Sequence, residues 1–163
     1  MHLDGFLSYP SAVYTVPYGV MVPKEVDNLL LPVPVLGSHI GFSTLRMEPC
    51  WMAMGQAAGI ASALSIDGKV KVQNIDLSRL QDKLIDQKVT LMYFKDVDYT
   101  SPHFRMVQYL GLRGYLPEWT ARLQEPVDAA TLAAWKKLSG TDLPGIEAGK
   151  TTRLAALDMI YRK

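Results

Sequence analysis

From Val13 to Val22 apolar and polar residues alternate, a period-two pattern that predicts a strand bent at Pro17. A second extended run spans Val26 to Val35, where Pro32 and Pro34 confine it to a sheet edge or outside a regular ladder. The period then changes. From about Glu48 to Ile66 the chain reads as one long helix that stops at Asp67-Gly68. Ile75, Leu77, Leu80, Leu84 and Ile85 recur at helical spacing, with Asp76 or Ser78 as cap and Asp82 and Lys83 on the wet side. Past Leu91 the texture is helical. Helices are predicted over Ser101–Leu112, with Ser101 as cap and Pro102 in the first turn, over Val127–Leu138 capped by Asp128, and over Thr151–Tyr161. The fold class expected is α+β. Residues 1–90 would supply terminal strands and the long helix of an incomplete α/β domain, and 91–163 a small all-α unit.

The long helix carries the candidate chemistry. Pro49 sits in its first turn, where a missing N–H costs nothing, and the remaining free N–H groups add to the macrodipole as a partial positive charge. An electron-rich group fits such an end. Behind it Gly55, Ala58, Gly59 and Ser62 recur at spacings of three and four, a stripe of small side chains open to close approach. Each interior Gly lowers helix stability by about 1 kcal/mol relative to Ala, so the stripe favours contact over intrinsic stability.

The stretch Tyr14 to Leu64 resembles the carboxy-terminal end of the flavin domain in a family of bacterial FAD-dependent oxidoreductases, some of whose members carry the label putative xanthan lyase. The residues that carry the likeness are Pro17-Tyr18, then Val22-Pro23-Lys24-Glu25-Val26-Asp27-Asn28-Leu29-Leu30. Ser38-His39, Arg46-x-x-Pro49 seven residues beyond the histidine, and Met52-Ala53-Met54-Gly55-Gln56-Ala57-Ala58-Gly59 complete it. The resemblance implies FAD as cofactor, with the helix start aimed at the pyrimidine side of the isoalloxazine, where charge collects on reduction. It implies cofactor contacts from Ser38, Arg46, Glu48, Pro49, Cys50, Trp51 and Gly55, and catalytic roles for His39 and Arg46. Hydride transfer between an organic substrate, with a sugar-derived one among the options, and flavin would be the reaction.

Two departures qualify the likeness. Family members commonly carry a Gly-Arg pair after the Asn-Leu-Leu run, where this chain reads Leu31-Pro32-Val33-Pro34-Val35-Leu36-Gly37. No G-x-G-x-x-G fingerprint is present; neither Gly55-Gln-Ala-Ala-Gly59 nor Gly111-Leu-Arg-Gly114 has the spacing. The expectation is a fragment whose FAD-binding amino-terminal region lies upstream of Met1. Farther on, Phe94-Lys95-Asp96-Val97 followed by Tyr109-Leu110-Gly111-Leu112-Arg113-Gly114-Tyr115-Leu116-Pro117 resembles one S-layer-homology-like repeat.

Each site residue also has a plain reading. His39 either exchanges a proton with substrate or is a structural hydrogen-bonding histidine. Arg46 either grips a phosphate or carboxylate with its planar fork or neutralises Glu48. Glu48 complements the helix dipole or acts in catalysis. Cys50 lies where thiol pKa is lowered but has no adjacent histidine, so a small buried residue is the better reading. Trp51, Met52 and Met54 are core residues by pattern alone.

Composition narrows the field of partners. The 163 residues are 48% hydrophobic and 20% charged, with a net charge of +1 and no basic face or acidic tail. Small-molecule chemistry is favoured over nucleic-acid binding, and no membrane span is read. One cysteine and three scattered histidines give neither an internal disulfide nor a zinc spacing. Met1–Pro10 shows no charged leader and apolar run, which leaves the compartment open between cytoplasmic and exported. A competing class is a non-enzymatic anchoring module that contacts cell-wall glycan or a partner protein through the helical tail. A third, β-elimination from a uronic acid, lacks a recognisable Tyr/His/Arg pattern.

Overall fold

Ser38 starts the first helix: its backbone is extended and its hydroxyl accepts a hydrogen bond from Gly41 N at 3.0 Å, which opens α1 (His39–Leu45). The sequence pattern gave no sign of this helix. Met47 then provides an extended N-cap without a side-chain bond, and α2 runs Glu48–Gly68 with Pro49 as its second residue. It ends on Gly68 of the Asp67-Gly68 stop, where Lys69 takes the left-handed cap (φ 51°) and donates back to Ile66 O. Downstream lie α3 (Leu77–Asp86), α4 (Phe104–Leu112), α5 (Ala129–Ser139) and α6 (Arg153–Tyr161), with 3-10 turns at Tyr18–Met21 and Val72–Asn74. This architecture comes from a computed structural model that describes residues 12–162. The Met1–Pro10 stretch read above for a leader lies outside the described residues.

The α+β expectation is overturned. All helices and turns named, the described residues contain no strand, and their one isolated bridge joins Pro126 to Thr152. The reason is legible in the prolines. Val13–Val22 and Val26–Val35 alternate as strands would, but Pro17, Pro23, Pro32 and Pro34 each lack the N–H a ladder needs. Between Pro17 and Val22 the chain coils into a 3-10 turn instead, and the two runs meet through Leu31 N to Met21 O (2.8 Å) and Leu36 N to Val20 O (2.7 Å). These contacts orient a loop without extending into a sheet.

The described residues divide into two compact units between Ile75 and Asp76. In the first, Met54 and Ala58 of α2 pack with Met21, Val35 and Leu45. A loop at Val26–Asn28 is tied to the chain after α2: Asn28 Oδ1 accepts from Val72 N (3.3 Å), Gln73 Nε2 donates to Val26 O (3.1 Å), and Lys71 pairs with Asp27. Tyr18 donates its hydroxyl to Val72 O at 2.8 Å, and burial pushes its phenol pKa up.

The second unit begins with α3, capped by Asp76, whose carboxylate accepts from Ser78 N at 2.9 Å. Asp128 caps α5 through Thr131, and those hydrogen bonds hold its carboxyl below the usual range. Thr152 caps α6. The Phe94–Val97 motif has a structural explanation: Phe94 and Val97 enter the core, while Asp96 accepts from Ala121 N (2.8 Å) and Arg122 N (2.7 Å) to pin the loop before α5. Gly111 is fixed by Phe94, since a Cβ there would lie 3.0 Å from the ring.

Gln108 is the buried polar hinge of this unit. Its side-chain oxygen accepts from Leu91 N and Met92 N, both at 2.8 Å, and its nitrogen donates to Met92 O at 2.7 Å. Gln108→Leu keeps the volume and strands all three backbone groups. Because Leu91 and Met92 are only half-buried, water recovers part of the loss, and the expected destabilisation is about 2 kcal/mol, read as a shifted urea midpoint at unchanged slope. An unchanged midpoint would show that the segment does not depend on this clamp.

Candidate functional site

The predicted site residues are spread along α1 and over the first two turns of α2. Ser38 and His39 open α1, Arg46 closes it as C-cap, and Glu48, Pro49, Cys50 and Trp51 form the first turn of α2. Gly55 lies about one turn further. His39 and Arg46 are seven residues apart, which places them on one side of α1 and roughly 10 Å apart along it. Tyr14, which the sequence pattern did not single out, steadies the end of α1 by donating its hydroxyl to Thr44 O at 3.1 Å.

The predicted residues differ in their contacts. Among the described residues the His39 side chain is exposed and makes no hydrogen bond. Arg46 is exposed and forms no ion pair with Glu48 or with any other described carboxylate. Glu48 is the acidic residue of the first turn of α2, at the positive end of the dipole. Cys50 is a free, half-buried thiol packed beside the first unit's core. Ser38 spends its oxygen lone pair on the cap of α1, which leaves its hydroxyl hydrogen for another acceptor.

Trp51 stands out for a different reason from the one its type suggested. Its ring packs on the first unit's core, yet its indole N–H is buried with no hydrogen-bond partner. Such a donor is costly unless something accepts from it. The helix start adds further unpaired donors: Met47 offers no side-chain cap, Trp51 N takes Met47 O at 3.1 Å, and helix geometry leaves the N–H groups of Glu48 and Cys50 without an intrahelical acceptor.

The small stripe splits in two. Ala58 is buried in its own unit, whereas a Cβ at Gly55 or Gly59 would meet nothing within 4 Å. The open side of α2 is also apolar, with Met52 75% and Ile66 76% exposed, and no charged residue occurs from Cys50 to Ile66. A helix without a charged face is ordinarily buried all round. At the far end of α2 an open hollow of about 430 Å³ is lined by Asn28, Ser65, Lys69 and Lys71, a feature with no motif in the sequence.

A model of the FAD dependent oxidoreductase family matches residues 3–84, just over half of the chain. The chain belongs to that family. No curated protein and no solved structure matches it. The family match covers the whole α1–α2 corner and most of α3, and residues 85–163 lie beyond it. FAD is the cofactor the family implies. The start of α2 fits its electron-rich edge, since the unpaired N–H groups of Glu48 and Cys50 are donors of the kind such a group accepts from and the position of Gly55 is open. Among the described residues no three His, Cys, Asp or Glu side chains gather as metal ligands, and no helix is long and apolar enough to cross a membrane.

Proposed function

We propose that the α1–α2 corner is one wall of the flavin site of an oxidoreductase that transfers a hydride between an organic substrate and FAD. The observation that carries this reading is the uncapped start of a 21-residue helix inside the family-matched region. Bound FAD supplies the hydride acceptor. The chain's own part is electrostatic and acid–base. The N–H groups of Glu48 and Cys50 would face developing negative charge without reorganisation, with Pro49 fixing the turn and Trp51 packing it against the first unit's core. Ser38 and Gly55 border the same wall. Arg46 holds a phosphate or substrate carboxylate through its fork, and His39 takes or returns the substrate proton at its imidazole.

In this reading residues 1–90 are the carboxy-terminal portion of the flavin domain. The pyrophosphate is held by a dinucleotide-binding region outside residues 1–163, which themselves carry no G-x-G-x-x-G. Residues 91–163 are a helical, S-layer-homology-like unit with a packing role. The test is a fluorescence titration of residues 1–163 with FAD. Weak or absent binding is expected, and tight stoichiometric binding would overturn the placement of the pyrophosphate site.

The open face of α2 provides a second, independent test. If the dinucleotide-binding region covers it, Gly59→Leu has opposite signs in two contexts. In residues 1–163 alone the position is open, and the better helix former is expected to be neutral or to stabilise by up to about 1 kcal/mol. In the flavin-containing enzyme the same change overpacks and costs about 1–3 kcal/mol, with loss of flavin on thermal challenge. Equal melting shifts in both contexts would mean that the face stays in water.

A further inference from the structure

We draw no further inference here: the strongest candidate, the guanidinium pair of Arg122 and Arg153 in the second unit, where Arg153 is 4% exposed and Arg122 Nε is buried without a hydrogen bond, carries nothing because Arg153 already donates to Ala121 O and Arg122 already pairs with Glu118 and Glu125, partners within the unit that account for both side chains.

Discussion

Trp135→Ala is expected to destabilise the second unit by about 3–5 kcal/mol. The side chain is 1% exposed and is the largest of those fully buried. It does three things at once. Its ring fills the space between α5 and the core residues around Leu116, Val127 and Leu157. Its indole N–H donates to Tyr115 O at 2.7 Å, and the Arg153 guanidinium lies 5.3 Å from its ring centroid. Alanine leaves a cavity, an unpaired buried carbonyl, and a buried cation stripped of its aromatic face. Against a domain stability of about 5–15 kcal/mol, that loss is enough to populate unfolded chains at moderate temperature. Trp135→Phe loses the same donor but leaves a smaller cavity, so a smaller cost is expected, and the difference between the two variants reports the extra cavity and lost aromatic contact, the hydrogen bond being absent from both. Denaturant unfolding followed by circular dichroism reads both. An alanine variant with a wild-type midpoint would show that Trp135 is not the keystone its burial indicates.

The helices that carry their own end signals were the legible part of this fold. Asp76, Asp128 and Thr152 are local devices: a short side chain captures a free N–H two or three residues on, and the cap can be read without knowing what the helix packs against. α4 starts later than its Ser101-Pro102 signal predicts, at Phe104, because Ser101 forms a separate turn in which its carbonyl accepts from Phe104 N and its hydroxyl from His103 N. α1 is not announced by pattern because its apolar residues Ile40, Phe42 and Leu45 are too few and irregularly spaced to make a helical face, and of them only Leu45 is buried; the helix rests on the Ser38 cap, Leu45 and Tyr14.

The extended runs failed for a reason that concerns partners. Strand pairing is a non-local property, and alternation in Val13–Val22 announces a face to bury without specifying what buries it. Here the prolines remove the donors, and the chain settles into a 3-10 turn and two isolated bonds. The candidate site was readable to the level of position. Arg46, Glu48 and Pro49 announce a helix start, but that Arg46 leaves Glu48 unpaired, or that the Trp51 N–H has no acceptor, depends on side-chain packing that no spacing encodes. Nor does spacing show that α3, most of which lies within the family match, is tied to α4 through Arg105, which reaches Asp86 at 3.1 Å.

In the flavin-loaded enzyme, His39→Ala and Arg46→Ala are each expected to slow reduction of the flavin by substrate about a hundredfold or more, a barrier increase of about 2.7 kcal/mol. The two residues suit this test because the fold spends nothing on them. Both side chains are exposed and neither makes a hydrogen bond or ion pair among the described residues, so truncation is expected to change stability by no more than about 0.5 kcal/mol. Retained flavin absorbance and an unchanged melting curve would confirm that the loss is chemical. The roles separate by rescue. If His39 moves a proton, added imidazole restores part of the rate in His39→Ala and none in Arg46→Ala. If Arg46 holds an oxyanion through two parallel donors, Arg46→Lys keeps the charge, loses the fork, and recovers only part of the activity. Stopped-flow absorbance under anaerobic conditions measures each rate directly. Normal reduction in both alanine variants would remove His39 and Arg46 from the mechanism and leave the start of α2, with its unpaired N–H groups, as the only chemistry this corner supplies.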